Sequence, residues 1–350
     1  MAVRYRDSVE PVVTDGRDID RDIGELLGEG AQQRSRGAHD EHIAEMAERW
    51  QALPEASRID PTYYDRPLLN ESVWHWAIPT YYYVGGVTGA SLALGAAVQL
   101  FADRDLRALV RQCRWIGFAG ACISGVLLVA DLGRPMRFLN MLRVFRPTSP
   151  MNVGAWILSK VGAASSLAAI FDFELAGLSA GLSGLGLATY TGVLVANTAV
   201  PVWQESRRVL PILFGSSAMA SAGCLLEMVG DQRGFAVART FRISGQIAEI
   251  ALAFAMEKQV ARIERVARPL RSGFSGFLWR ASAVLAASSL LVTVLPIKKR
   301  AKKFAAGILG TLGSLALRFA VDKAGLASAR DPRASFHLQR AQLNFTNMGA

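Results

Sequence analysis

The chain has 350 residues, is 51% hydrophobic and carries a formal charge of +10, with a positive mean hydropathy. Length alone allows two or three soluble domains, but from residue 76 onward the apolar residues fall into runs of about 18–24 residues with short polar breaks, each matching the roughly 30 Å hydrocarbon core of a bilayer. The basic residues cluster between these runs, where they meet lipid headgroups, which argues against nucleic acid as the partner.

Cys113, Cys122 and Cys224 form no C-x-x-C pair, so the sequence carries no iron–sulfur or zinc signature and no metal site is expected. His39, His42, His75 and His337 all lie outside the apolar runs. A haem held between helices needs axial histidines inside the bundle, so none is expected either. The first 30 residues are rich in charge and lack the apolar stretch of a signal peptide.

Residues 1–70 are polar and read as a partly disordered arm, either simply solvated or docking a partner. Within it, RDIDRDIGELLGEG (17–30) and DEHIAEMAERW (40–50) have the pattern of short amphipathic helices. Tyr63, Tyr64, Trp74, Trp76 and Tyr81 to Tyr83 then form an aromatic approach suited to the headgroup level. The first span is expected over residues 78–101, with Gly85 and Gly89 four apart on one smooth face. A loop, ADRDLRALVRQCR, leads to a second span over 115–130.

The connector from Asp131 to Trp156 carries Arg134, Arg137, Arg143 and Arg146, one acid, and Pro135, Pro147 and Pro150. Such a segment is either a membrane-surface loop or the lip of a site. RPMRFLNMLRVF within it reads as a short helix along the interface. Further spans are expected over 153–171, 178–202, 209–229, 235–256, 277–297 and 304–321, with a basic amphipathic segment, EKQVARIERVARPLR, after the sixth. The reading is an all-α membrane protein of about eight transmembrane helices: an arm (1–70), a transmembrane domain (71–323) and a polar tail (324–350). KKRAKK and the connector arginines pull its orientation in opposite directions.

Some residues in these runs are costly there, since a charge at mid-bilayer costs about 2.5–3.5 kcal/mol on insertion scales. Glu227 lies near the end of the fifth run, and Arg239, Arg242 and Glu249 lie in the sixth. Arg242 and Glu249 are seven apart, two helical turns, near one face. They form either a charged cavity with Glu249 and Glu227 as proton carriers, or an internal salt bridge. Lys160 and Arg280 read as snorkelling residues. The Tyr190 hydroxyl needs a partner, either a neighbouring helix or a ligand carbonyl. Asp131 and Arg134 are close enough to pair, as a cap or as the lip of a site. His75 is the span-adjacent histidine, a residue type suited to exchanging protons.

DLGRPMRFLNMLRVFRPTSPMNVGAW (131–156) resembles the signature connector of the NrfD-like, or polysulfide reductase, membrane-subunit family. ESVWHWAIPTYYYVGGVTGAS resembles that family's first span, and TYTGVLVANTAVPVWQ followed by LPILF resembles its fourth span and the start of its fifth. The likeness extends over residues 61–260, and beyond the sixth span only the hydropathy matches. It implies eight helices in two four-helix bundles in the bacterial inner membrane. It further implies a subunit without redox centres that binds quinone or quinol and exchanges electrons with a ferredoxin-like iron–sulfur subunit. That partner serves a catalytic oxidoreductase subunit, often a molybdopterin enzyme, so the chain alone would not be catalytic.

Carried over, the quinone-binding residues are Tyr190, Asp131, Arg134 and His75, although Ala77 stands where relatives often have an acid. Glu249, with Glu227 and Arg242, is the corresponding proton-relay candidate in the second bundle. A secondary transporter and a passive membrane anchor are the alternatives.

Overall fold

Inside a bilayer no water is left to satisfy peptide groups, so long apolar runs form helices that close their hydrogen bonds within the segment. A computed structural model, describing residues 18–20, 25–27, 69, 74–102, 104–132, 136–230, 233–296 and 299–336, has this character. The chain divides after Arg66 into two units.

In the first unit, β1 (Asp18–Asp20) pairs antiparallel with β2 (Glu25–Leu27), Ile19 standing opposite Leu26. This corrects the helix expected over 17–30: acid and isoleucine alternate in Asp18-Ile19-Asp20 with the period of a strand. The helix expected over 40–50 lies outside the described residues.

The second unit is helical. Its elements are α1 (Ala77–Phe101), α2 (Arg107–Leu132), α3 (Met136–Arg143), α4 (Pro150–Ile170), α5 (Glu174–Ala196), α6 (Pro201–Glu205), α7 (Leu210–Val229), α8 (Phe235–Val260), α9 (Glu264–Arg271), α10 (Gly273–Val294) and α11 (Lys299–Ala329). Among the described residues, seven helices are long and apolar enough to cross a membrane: α1, α2, α4, α5, α7, α10 and α11. The protein is thus a multi-pass membrane protein. The expected sixth span, α8, has 26 residues, but its charged residues leave it outside that set.

Two boundaries differ from expectation for local reasons. The fourth span ends at Ala196 rather than 202, and a separate short helix, α6, begins at Pro201. Asn197 returns its side-chain amide to Val193 O at 3.0 Å, and Pro201 has no N–H with which to continue a helix but suits the start of one. The second helix begins at Arg107, not 115, because the supposed loop residue Arg114 is buried and anchored. Its guanidinium donates to Gln99 Oε1 at 3.0 Å and to Asp172 Oδ1 in the turn before α5.

α1 is the central helix, in contact with α2, α5, α7 and α11. α4 packs on α2 and α5; α8 packs on α7 and α10; α11 packs on α7 and α10. Outward-facing apolar residues such as Val126, Leu182, Phe254 and Val284 stay exposed, as a lipid-facing surface requires. Lys160 and Arg280 are exposed too, in keeping with snorkelling. α9 buries Val266, Ala267 and Leu270 and leaves Arg265, Arg268 and Arg271 exposed. That two-faced pattern suits a helix lying along a membrane surface.

The tightest crossing is that of α1 with α5. A Cβ on Gly89 would stand 2.3 Å from Gly184 O and 2.7 Å from Ala188 N, and one on Gly184 would stand 2.6 Å from Gly89 O. Neither backbone can give way, so both positions need glycine. Gly125 on α2, by contrast, has nothing within 4 Å. Gly89→Ala should therefore destabilise the detergent-solubilised protein by about 1–3 kcal/mol, read as a lower melting temperature, while Gly125→Ala should leave it unchanged.

Candidate functional site

The start of α1 and the ends of α2 and α5 meet the connector around a small cavity of about 40 Å³. Trp74, Ile78, Tyr81 and Tyr82 line it from the α1 side, Leu128 and Asp131 from α2, and Tyr190 and Leu194 from α5. Met141 of α3 and Met151 of α4 close it. Two sequence-predicted residues, Asp131 and Tyr190, thus come to one cavity. Arg134 lies outside the described residues. His75 is exposed and does not line the cavity; its backbone N–H donates to Asp131 Oδ1 at 3.3 Å.

Local sequence explains these placements. The Tyr190 ring lies directly on Gly154 of α4, where a Cβ would stand 1.9 Å from Cζ. Trp74 stacks on Trp203 at 5.8 Å and meets the Tyr82 ring edge-on at 6.3 Å. Trp203 in turn donates from Nε1 to Val321 O at 2.8 Å. Tyr81 and Tyr82 are only 2% exposed, which corrects their assignment to the interfacial belt; Trp76, at 66%, keeps that role. The glycines were the available signal: Tyr81 and Tyr82 each precede one by four residues, so they share the faces on which α1 is closely approached.

Among the described residues of the connector, Asn152 ties the chain together. Asn152 donates from Nδ2 to Met141 O at 2.6 Å and Val144 O at 3.0 Å, and its Oδ1 accepts from Arg146 N–H at 2.7 Å. Ser149 caps α4 ahead of it, and Pro150 occupies the first turn. Outside this clasp lies an open groove of about 440 Å³ lined by Asn140, Val144, Arg146 and Ser149, among others. Met141 and Met151 belong to both the groove and the cavity, so they form the partition between them.

Size limits what each space can hold. The cavity of 40 Å³ admits little more than a water, whose share of the liquid is about 30 Å³. Sites for small organic molecules run to about 300 Å³ or more, a range the groove reaches. The lining chemistry suits a flat ring with polar edges: aromatic faces and aliphatic side chains, with three tyrosines and one carboxylate able to hydrogen-bond. Among the described residues, no group of three or more His, Cys, Asp or Glu side chains is placed to hold a metal.

The predicted relay residues lie between α7, α8, α10 and α11. Arg242 is fully buried and pairs with Glu227 through Nε. It also donates to Gln246 Oε1 at 3.0 Å, Thr293 Oγ1 at 2.9 Å and Ser289 Oγ at 3.4 Å. Glu249 is not its partner, although it lies two turns along the same helix; Glu249 accepts from Ser314 Oγ at 3.0 Å instead. The gap in the sequence reading was Arg318 of α11, also buried, which donates to Phe214 O at 2.7 Å and stacks over the Phe214 ring at 3.8 Å.

The sequence profile of a family described as polysulfide reductase (NrfD_2) matches residues 62–329. No curated protein matches the chain.

Two outcomes test this geometry. Asn152→Ala frees two carbonyls and one N–H of the connector, so trypsin should cut after the exposed Arg143 faster than in wild type. Glu227→Gln leaves the Arg242 charge buried without its counter-ion and should cost about 3–5 kcal/mol of stability by thermal melting. Adding Arg242→Met to it should recover part of that loss.

Proposed function

Because the chain belongs to the NrfD-like polysulfide reductase family of membrane proteins, we propose that it is the quinone-reactive membrane subunit of a multi-subunit oxidoreductase. In this reading it exchanges electrons between the membrane quinone pool and a ferredoxin-like iron–sulfur subunit docked over the connector, which serves a catalytic subunit. The observation that carries the reading is the convergence of Asp131 and Tyr190, from two different helices, on one aromatic-walled cavity beneath that connector.

A quinone supplies, when bound, a couple that takes up or releases electrons and protons together. The protein's part is to hold the ring edge and handle the protons. Tyr190 would donate its hydroxyl to a ring oxygen. Asp131, half-buried at the mouth, would exchange a proton with water, and its bond from His75 N–H would fix the carboxylate. Arg134 belongs to the same proposal as a positive charge near the ring site. The ring reaches this position by way of the groove, once Met141 and Met151 turn aside; methionine side chains repack readily.

We further propose that α8 is an eighth span, its charges satisfied inside the protein, so that α1, α2, α4 and α5 form one four-helix group and α7, α8, α10 and α11 a second. Proton movement through the second group would involve Glu249, with Glu227 and Arg242 holding the surrounding charge. The small volume of the cavity favours a second reading, a passive anchor whose ligand site no longer opens.

Tryptophan fluorescence distinguishes these, since Trp74 lines the cavity and Trp203 stacks on it. Titration of the purified chain in lipid nanodiscs with decylubiquinone or menaquinone-4 should quench the emission. Tyr190→Phe combined with Asp131→Asn should weaken binding by about tenfold to a hundredfold, and Gly125→Ala should not. Binding of neither quinone by wild type would leave the anchor reading standing.

A further inference from the structure

We propose that Asp322 of α11 is a proton-accepting residue for the same cavity, one step removed from the ligand and reached through the Tyr82 hydroxyl. The inference rests on the quinone reading above.

Two sets of contacts fix the register of α11 against α1. A Cβ on Gly86 would stand 3.4 Å from Arg318 Nη2. Further along α11, Val321 O accepts from Trp203, and a Cβ on Gly325 would stand 1.9 Å from the Trp203 ring. Trp203 stacks on Trp74, which meets Tyr82 edge-on. The two helices therefore run in opposite directions where they touch. One turn forward from Arg318 on α11 reaches Asp322, and one turn back from Gly86 on α1 reaches Tyr82. Tyr82 lies within electrostatic range of Asp322 and of Asp131.

Both groups are poorly matched for their burial: Tyr82 has no hydrogen-bond partner among the described residues, and Asp322 has only the Lys323 ammonium beside it. The Tyr82 hydroxyl and both Asp322 carboxylate oxygens are buried. Leaving such a group unmatched costs about 1–3 kcal/mol, so a carboxylate and a hydroxyl at one level, beside a cavity, suggest a use. The Asp322 side chain is 0% exposed, and Lys323 Nζ stands 3.4 Å from its Oδ2. Lys323 is itself 37% exposed. Its ammonium stands beside the acid, and its stem marks the nearest way to water.

When a quinol is oxidised, a pair of electrons passes to the iron–sulfur acceptor of the partner and a pair of protons is released. One proton goes to Asp131. For the other, the ring O–H bond breaks and its proton moves to the Tyr82 oxygen, while the Tyr82 proton moves to the Asp322 carboxylate, directly or through one water. Asp322 then loses that proton to the aqueous side near Lys323. Quinone reduction runs the same transfers in reverse.

The test needs no partner subunit. The full chain in lipid nanodiscs, loaded with decylubiquinone or menaquinone-4, is cycled electrochemically and followed by infrared difference spectroscopy. Wild type should show carboxylic-acid C=O signals from two groups on oxidation. Asp131→Asn should remove one and Asp322→Asn the other, while Asp322→Glu should restore a shifted signal. Tyr82→Phe, which keeps the packed ring, should slow the Asp322 signal by about a hundredfold and leave the Asp131 signal in place. An unchanged spectrum in Asp322→Asn, or an unslowed signal in Tyr82→Phe, overturns the proposal and leaves the quinone reading intact. Failure of wild type to bind either quinone overturns both.

Discussion

The close passage of α1 across α5 is the constraint from which the cavity follows. Gly89 and Gly184 face each other with no room for a Cβ on either. Once those backbones meet, the aromatic start of α1 must lie beside the last turns of α5, so Tyr81, Tyr82 and Tyr190 share one small volume. A bulkier contact would hold the helices apart, and the rings would have only lipid between them. A second bare position, Gly154, lets Tyr190 lie flat on α4. Glycine here acts by absence. It costs helix stability, about 1 kcal/mol per residue relative to alanine, and offsets that cost with contact between backbones.

Buried polar groups fall into two kinds, and the difference separates structure from chemistry. Arg242 is surrounded: Glu227, Gln246, Ser289 and Thr293 all accept from it. A side chain so fully matched is held in one place, as a joint between α7, α8 and α10 should be. The Tyr82 hydroxyl, on the cavity wall, has no hydrogen-bond partner among the described residues, and buried Asp322 is met only by the partly exposed Lys323. A protein gains nothing in stability from poorly matched groups, which is why they, and not the arginine network, invite a reading in terms of proton exchange.

Hydropathy made most of the fold legible in the sequence, because lipid allows few ways to bury a peptide backbone. The connector helix was readable for the same reason, since breaks between runs are short and distinctive. Tyr190 and Asp131 were legible as polar groups in or beside apolar runs. Their neighbours were not. Tyr81 and Tyr82 looked like belt residues because sequence gives depth along a helix but not the direction a face points. Arg242 was matched with Glu249 by spacing on its own helix, whereas its carboxylate partner, Glu227, comes from α7. Sequence does not single out Arg318 and Asp322 of α11, because they gain meaning only from what stands opposite. The strand pair β1–β2 was misjudged because three-residue elements carry too little periodicity to separate from a helical turn.

The status of α8 turns on the same point. Scored residue by residue, its charges make it a poor span, each carrying an insertion cost of about 2.5–3.5 kcal/mol near the bilayer centre. That scale treats each charge as facing lipid alone. Arg242 instead makes its hydrogen bonds within the protein, and bonds to charged groups contribute about 1.5–3 kcal/mol each. Glu249 is likewise met by Ser314 of α11. The penalties are of the size that such partners offset, and the exposed side of the helix is apolar where Ile247 and Phe254 face outward. A helix of 26 residues, greasy on its outer face and ionic only where its neighbours answer it, is suited to the membrane interior once α7, α10 and α11 are in place. Its insertion would then depend on those neighbours rather than on its own hydropathy.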